Sequence, residues 1–222
     1  MPSWLCGQVN RQAPGHVAAP FLVQRGQAAA EVFAVADIFD ELLAAMERHK
    51  AIRLDARQIE ALTKAAFVKV DGKEVVHKDL IGQDAAVLAQ KAGVKVPANT
   101  ELLFGETGES SPFVDHEQMM PFVPFVRVSD VDTAIALAKK SEHGFKHTSV
   151  IHSRNVETIT RMGREMDTTL YIQNGPSTAG LGSGGEGYLS FSIATPTGEG
   201  VTTPLTFTRQ RRTTTVGSMR II

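Results

Sequence analysis

Apolar residues recur with a helical period in five segments of the chain. The first segment carries an apolar side chain every three or four residues, as one face of a helix does; these residues are Val35, Ile38, Phe39, Leu42, Leu43 and Met46. The same spacing predicts a second helix after Asp55, which stands at the N-cap. It also predicts a helix through residues 85–89 that ends at Gly93. Ser129 as an N-cap predicts the fourth helix, and residues 155–166 are the fifth.

Short apolar and β-branched runs separate these helices. Residues 67–70 and 74–76 predict a hairpin around the turn signal Asp71-Gly72. The other predicted strands are residues 101–104, 122–128, 148–152, 169–173 and 206–216. Pro124 predicts that its strand is broken or lies at a sheet edge. Strand and helix alternate after residue 100, which predicts an α/β fold with parallel strand pairs.

Composition and charge narrow the classes of protein that fit this pattern. The chain of 222 residues is 42% hydrophobic and 21% charged, as globular proteins are. A formal net charge of -1 gives no electrostatic argument for nucleic acid or an anionic membrane. Its single cysteine, Cys6, excludes an internal disulfide and fits a reducing cytosol. With no apolar run near about 18 residues and no signal-peptide pattern at the start, we expect a soluble cytoplasmic protein.

A series of short motifs carries a family resemblance. The segment Glu117-Gln-Met-Met-Pro121, followed by the strand over 122–128 and the next helix, resembles the aldehyde dehydrogenase superfamily. Its form Glu-x-Met-Met-Pro is similar to the CoA-acylating branch, which acts in propanediol and ethanolamine utilisation. Further matches follow in the same order as in that branch, and the resemblance extends over residues 31–222: Glu142-His-Gly144, His147-Thr-Ser149, Asn174-Gly-Pro-Ser177, Gly184-Gly-Glu-Gly-Tyr188, Pro196-Thr-Gly-Glu-Gly200 and Phe207-Thr-Arg-Gln-Arg-Arg212.

The resemblance implies a division of the chain into three parts. Residues 31–205 are expected to be a fragment of the aldehyde dehydrogenase catalytic domain, which has a Rossmann-like three-layer α/β fold. Residues 206–222 are expected to be the terminal strand that serves oligomerisation in the family. Residues 1–30 have no sustained period, do not match the family and are expected to be irregular. The family's cofactor domain is expected to be missing, since the first hundred residues hold no Gly-rich turn between a strand and a helix.

The implied reaction is the NAD-dependent oxidation of a short aldehyde, acetaldehyde or propionaldehyde, to an acyl-CoA. A cysteine thiolate attacks the aldehyde, hydride passes to NAD, and the acyl thioester is transferred to CoA. In the family that cysteine lies just before the segment that matches residues 31–35. Residues 24–30 contain no cysteine, and Cys6 is about twenty residues too early. A truncated gene, a shifted reading frame and a remodelled paralogue all remain open, and Cys6 is otherwise an ordinary free thiol.

Two residues are the main site candidates. By resemblance, Glu117 accepts hydrogen bonds from the nicotinamide ribose hydroxyls, a role that suits a two-oxygen acceptor. The alternative for Glu117 is a solvated acid beside His116. His147, at the start of a strand, is a tentative catalytic residue that acts on the CoA thiol or orients the thioester, because histidine titrates near neutral pH. The alternative is a packed or capping histidine.

Two further segments are weaker candidates for cofactor binding. Gly184 and Gly185 would let backbone amides approach a phosphate or pantetheine group, or they serve loop turns with positive φ. Residues 209–212 carry three arginines, which suit either CoA phosphates or a solvated or subunit-contact face. No histidines have the spacing of metal ligands, so we predict no metal site.

Three hypotheses for the chain follow. The first is a catalytic-domain fragment that is inactive alone, whose family uses a small aldehyde, NAD and CoA. The second is a non-catalytic assembly module that pairs with a full-length subunit. The third is a fragment that does not fold stably, because apolar surface meant to be covered is exposed. The family also implies a homo-oligomer and a possible location in a bacterial microcompartment.

Overall fold

The computed structural model of the chain describes residues 31–117, 119–184, 189–190, 192–193 and 201–217. The irregular segment predicted for residues 1–30 lies outside this part of the chain. The described strands are β1 (Val32–Val35), β2 (Ile52–Arg53), β3 (Phe67–Val70), β4 (Lys73–Val76), β5 (Leu103–Thr107), β6 (Phe122–Val128), β7 (Thr148–Ile151), β8 (Leu170–Gln173), β9 (Ser192–Ile193) and β10 (Val201–Thr202). The described helices are α1 (Ala36–Arg48), α2 (Ala56–Ala66), α3 (Ala85–Lys91), α4 (Pro112–Asp115), α5 (Val131–Ser141) and α6 (Val156–Met166).

A four-stranded parallel sheet forms the centre of the fold. Its strand order is β1-β6-β5-β2, and all three pairings are parallel. A second parallel pair, β7 with β8, runs in register from Thr148 opposite Leu170 to Ile151 opposite Gln173. Strands β3 and β4 form the antiparallel hairpin predicted around Asp71-Gly72. The prediction of an α/β fold with parallel pairs is therefore confirmed.

Strand β1 is a correction to the sequence prediction, which placed Val35 within the first helix. The structure ends β1 at Val35 and begins α1 at Ala36. All four residues of β1 are buried, so the segment shows no alternation between apolar and polar residues. A buried run of four residues beside an amphipathic helix has no periodicity of its own. The sequence pattern therefore did not separate the strand from the helix.

Helices cover both faces of the parallel sheet. Alternate residues of β1 point to opposite faces, as in any strand. Val32 and Ala34 pack with Phe39 and Leu43 of α1. Phe33 and Val35 pack instead with residues of α5 and α6, and α2 and α3 cover β5 and the start of β6 on that side. The expected three-layer α/β architecture is confirmed.

Side-chain caps determine where three of the helices begin. Asp55 caps α2 as predicted, and it forms a capping box in which Asp55 and Gln58 exchange side-chain to backbone hydrogen bonds. Asn155 caps α6. The cap predicted for α5 is wrong by one residue, because Asp130 accepts the hydrogen bond from the backbone N–H of Thr133. Ser129 instead donates its hydroxyl to Asp130.

Pro124 neither breaks its strand nor lies in an edge strand. Strand β6 is continuous and lies between β1 and β5. The described pairing with β1 begins at Phe125, one residue after Pro124, which itself pairs with Gly105 of β5. The proline therefore stands where the strand has a described neighbour on one side only, and this placement tolerates the missing N–H.

The C-terminal strand predicted over residues 206–216 is wrong for the single chain. Residues Pro204–Phe207 form a 3₁₀ turn, and residues 208–217 adopt no strand. Leu205, Phe207 and Val216 are 78%, 78% and 96% exposed. An extended segment becomes a strand only when a neighbouring strand pairs with its backbone, and no described strand pairs with residues 208–217. Their role in oligomerisation stays a prediction.

A membrane-crossing helix is not found in the described part of the chain, where every helix is too short or too polar to span a bilayer.

Candidate functional site

A row of aromatic rings supports the segment that contains Glu117. The ring of Phe113 in α4 lies 4.5 Å from that of Phe122 at the start of β6 and 4.9 Å from that of Phe67 in β3. The Phe67 ring in turn lies 5.7 Å from the imidazole of His116. Phe113, Phe122 and Phe67 are all buried. The row therefore holds both ends of the loop between α4 and β6 against the hairpin.

Glu117 lies in this loop with its side chain exposed. The loop has a left-handed backbone at Met119, with φ of 51°, a conformation that is uncommon for a residue with a side chain. The carbonyl of Met119 accepts a hydrogen bond of 3.0 Å from the backbone N–H of Gly82. An exposed carboxylate on a loop anchored at both ends and in its middle is available to accept hydrogen bonds from hydroxyl groups.

The end of α4 also contacts the loop that follows α5. His143 Nε2 lies 3.0 Å from the backbone carbonyl oxygen of Asp115 and 3.4 Å from its carboxylate. His143, Gly144 and Lys146 all have positive φ, of 54°, 80° and 55°. The loop therefore turns sharply through left-handed residues and places the His143 ring against α4.

Glu142 closes this loop on itself. One of its carboxylate oxygens accepts the backbone N–H of Gly144 at 3.0 Å. The other accepts the backbone N–H of His147 at 3.1 Å. Nδ1 of His147 lies 2.7 Å from the hydroxyl oxygen of Thr148, and the His147 side chain is exposed. The arrangement fixes the backbone of His147 at the entry to β7. Its Nε2 is the ring nitrogen that Thr148 does not engage.

A carboxyl group with limited access to solvent lies beside this loop. Glu31 precedes β1, and its Oε1 accepts a hydrogen bond of 2.7 Å from the hydroxyl of Ser141 at the end of α5. Burial raises the pKa of Glu31 above its ordinary value of 4.5, and the neighbouring Glu142 acts in the same direction, while the Ser141 hydrogen bond and His143 oppose the rise. Loss of hydration outweighs these favourable contacts.

A cleft of about 280 Å³ opens where α4, the C-terminal turn of α5 and the start of β1 meet. Its wall combines apolar and charged side chains, which are Phe33, Glu74, Glu109, Ser110, Pro112, Val114, Asp115, His116, Leu137, Lys140 and Ser141. The cleft thus lies directly beside both Glu31 and the segment of Glu117. We define the polar cluster as Glu31, Asp115, Ser141, Glu142 and His143, because these residues join the cleft to the loop of His147.

The predicted site residues differ in how close they lie to the polar cluster. The polar cluster connects the end of α4, two residues before Glu117, to the loop 142–147 that contains His147. Gly184 has φ of 78° in an exposed turn, as the loop alternative expected, and Gly185 lies outside the described residues. Residues 209–212 are exposed and irregular. Among the described residues no group of side chains is arranged to hold a metal ion.

Several residues of the site were not singled out from the sequence. Glu31 and His143 stood within family motifs but were not assigned roles. Their partners, Ser141 and Asp115, are 110 and 28 residues away along the chain, so no local pattern reveals them. Apart from the site, His152 was passed over as a strand residue, and burial lowers its pKa. Alternating strand residues gave no sign that this histidine is shielded from solvent.

Sequence comparison gives a clear relationship. No family model matches the chain. Over 190 residues the chain is 46% identical to the acetaldehyde dehydrogenase (acetylating) EutE of Escherichia coli K12, and this alignment covers 85% of the chain and 41% of the relative. The chain thus spans well under half the length of that enzyme.

Solved structures agree with the sequence comparison. Rhodopseudomonas palustris propionaldehyde dehydrogenase with bound CoA and an acylated cysteine is 38% identical with a TM-score of 0.74, over 81% of this chain and 40% of that one. An engineered glycolyl-CoA reductase with bound NADP⁺ gives the same values. The propionaldehyde dehydrogenase of the Clostridium phytofermentans fucose utilisation microcompartment is 34% identical with a TM-score of 0.75, over 86% and 42% of the two chains.

The three-layer fold of the described residues is therefore that of the aldehyde dehydrogenases of known structure. Within this class, the chain is related to the CoA-acylating enzymes that oxidise acetaldehyde or propanal. The family predicted from the motifs between Glu117 and Arg212 is confirmed. The relatives use CoA, and the bound ligands of two solved neighbours are CoA and NADP⁺.

Proposed function

We propose that this chain provides the catalytic-domain part of a CoA-acylating aldehyde dehydrogenase, which oxidises acetaldehyde or propionaldehyde to the acyl-CoA. The observation that carries the proposal is the loop of Glu117, an exposed carboxylate held by the aromatic row and by the hydrogen bond between Gly82 and Met119. Identity of 46% to an acetylating acetaldehyde dehydrogenase supports the same reaction class.

The residues present fit the two co-substrates of the family. When bound, NAD supplies the hydride acceptor and CoA supplies the thiol that receives the acyl group. Glu117 would accept hydrogen bonds from the two nicotinamide ribose hydroxyls with its two carboxylate oxygens. His147 would take the thiol proton at Nε2, because its Nδ1 is already engaged by Thr148. Gly184 and Gly185 remain weaker candidates for contacts with the phosphate or pantetheine part of CoA.

We further propose that the chain as printed does not catalyse the reaction alone. The chemistry requires a cysteine thiolate, and the sequence contains one cysteine, Cys6. Residues 24–30, which precede the family segment at Glu31, contain none. On this proposal, the reaction needs a nucleophilic cysteine that residues 24–30 do not contain.

Absorbance at 340 nm tests this proposal. Purified chain is incubated with NAD, CoA and propionaldehyde or acetaldehyde, and in parallel with NADP⁺ as the cofactor. We expect no reduced cofactor from the chain, and the Cys6→Ala variant should behave identically. Production of NADH that disappears in Cys6→Ala would show that Cys6 is the nucleophile and would overturn the proposal of an inactive chain. Production that persists in the variant would refute the requirement for a cysteine.

A second candidate function is a non-catalytic assembly module, and the C-terminal segment favours it. Leu205, Phe207 and Val216 are exposed, and residues 208–217 pair with none of the strands that the structure describes. Pairing with a full-length subunit would cover these side chains and complete the terminal strand. Co-purification of the tagged chain with an intact homologue would support this function. A clean monomer in the presence of the homologue, by size-exclusion chromatography, would contradict it. We also propose, from the family resemblance, that the protein forms a homo-oligomer and is located in a bacterial microcompartment.

A further inference from the structure

The imidazole of His143 lies close to two acceptor groups of Asp115, its backbone carbonyl and its carboxylate. Its Nε2 is within 3.0 Å of the Asp115 carbonyl oxygen and 3.4 Å of the Asp115 carboxylate. A backbone carbonyl oxygen and an ionised carboxylate accept hydrogen bonds and cannot donate them. Nε2 must therefore carry the hydrogen, which assigns the tautomer of the neutral ring and makes His143 the donor.

The carbonyl that His143 binds is one that the short helix leaves unsatisfied. Helix α4 has four residues, and the last carbonyls of any helix have no partner within the helix. Asp115 is the final residue of α4, and Glu117 follows two residues later. A donor at the Asp115 carbonyl therefore fixes the point from which the loop of Glu117 departs.

The loop that carries His143 is itself braced at three points. Ser141 donates to Glu31, and Glu142 accepts the backbone N–H groups of Gly144 and His147. His143 stands between these braces with a positive φ of 54°. A left-handed residue other than glycine is retained where the surrounding structure holds it. The loop is thus a preformed support and not a flexible segment that meets α4 by chance.

The opposite side of the Glu117 loop is held by different contacts. The imidazole of His116 lies against Phe67, and its Nε2 is 3.7 Å from the Glu74 carboxylate of the hairpin. The Gly82 N–H donates to the Met119 carbonyl. Along the chain, Glu117 therefore lies between the contacts of Asp115 and His116 on one side and the hydrogen bond of Met119 on the other.

We propose that His143 is a positioning residue for Glu117: it holds the C-terminal end of α4 through the Asp115 carbonyl and so sets where the Glu117 carboxylate meets its ligand. This inference rests on the proposed cofactor-binding role of Glu117. The placement itself is a property of the folded chain, and it can be measured without any cofactor.

Backbone amide hydrogen exchange by NMR, with the full chain, tests the placement. Two amides report on it, because the His116 N–H donates to the Pro112 carbonyl at 3.0 Å and the Gly82 N–H donates to the Met119 carbonyl. In His143→Ala, both amides should exchange about fivefold faster or more, as the loss of one hydrogen bond predicts. Amides of the central strand, such as that of Val126, should keep their wild-type rates.

Two further variants make the test specific. His143→Gln retains an N–H donor on a side chain of comparable length, so it should restore slow exchange at His116 and Gly82. Lys139→Ala, an exposed change in the last turn of α5, should leave both amides unchanged.

Three results would overturn the inference: unchanged exchange at both amides in His143→Ala, an equal increase throughout the central sheet, or no recovery in His143→Gln. Failure here leaves the proposed reaction untouched, and an inactive chain leaves the placement untouched.

Discussion

Replacement of Phe113 by alanine removes the middle ring of the aromatic row. Phe113 is 1% exposed and lies 4.5 and 4.9 Å from the rings of Phe122 and Phe67. Truncation of a buried phenylalanine to alanine costs about 3–5 kcal/mol, and each aromatic pair adds about 0.5–1.5 kcal/mol beyond the buried area. Helix α4 is one turn long and can relax towards the cavity, so we expect a loss of about 3 kcal/mol.

Urea unfolding followed by far-ultraviolet circular dichroism measures this loss. With a slope of about 2 kcal/mol per molar urea, a loss of about 3 kcal/mol lowers the midpoint by about 1.5 M. Phe145→Ala is the matched control, because the same atoms are removed from a ring that is 68% exposed. It should change the free energy of unfolding by no more than about 0.5 kcal/mol. Phe113→Leu keeps most of the apolar volume and should lose about 1–1.5 kcal/mol.

The ordering of the three variants is the decisive result. If Phe113→Ala costs less than about 1 kcal/mol, or no more than Phe145→Ala, the aromatic row does not support the fold and the anchoring of Glu117 must have another source. If Phe113→Leu and Phe113→Ala lower the free energy of unfolding equally, shape complementarity at this position matters more than buried area. The wild-type curve also tests the hypothesis of an unstable fragment, which predicts a broad transition without cooperativity.

Two further predictions concern a buried carboxyl and a helix cap. Because the folded pKa of Glu31 is raised above its ordinary value of 4.5, its contribution to stability is present below pH 4.5 and is lost as pH rises through the folded pKa. The urea midpoint of Glu31→Gln should therefore rise relative to that of the wild type as pH increases from 4 to 7. A difference between the two midpoints that moves in the opposite direction would contradict the raised pKa of Glu31. Asp55→Ala removes the capping box of α2 and should cost about 1 kcal/mol in the same assay, whereas Asp55→Asn should cost much less; equal losses would show that the cap contributes little.

The elements with the clearest local signals were predicted well from the sequence. Asp55 and Asn155 marked two helix starts, because a capping side chain acts within three residues of its own position. The hairpin around Asp71-Gly72 was found for the same reason, since turn chemistry is local. Strand β1 was missed because its burial comes from layers on both faces of the sheet, which are remote in sequence.

The candidate site was predicted less completely than the fold. The motifs predicted roles for Glu117 and His147 through resemblance, and these roles stay predictions, but the contacts of the polar cluster near them were not visible. His143 meets Asp115 across 28 residues and Ser141 meets Glu31 across 110 residues. Such contacts depend on which helix packs on which strand. The terminal strand was predicted wrongly for a related reason, because strand formation needs a pairing partner and no described strand pairs with residues 208–217.

The described part of the chain has a core of its own, and this separates folding from chemistry. Both faces of the parallel sheet are covered, by α1 on one side and by α2, α3, α5 and α6 on the other. The exposed apolar side chains of the C-terminal segment lie outside that core. The cleft beside Glu31 opens at its edge, where Phe33 and Val114 line the wall. The aromatic row and the polar cluster, which support the segment of Glu117, are formed entirely by described residues of this chain. On this argument the polar cluster should keep its geometry in the isolated chain, even where no reaction takes place.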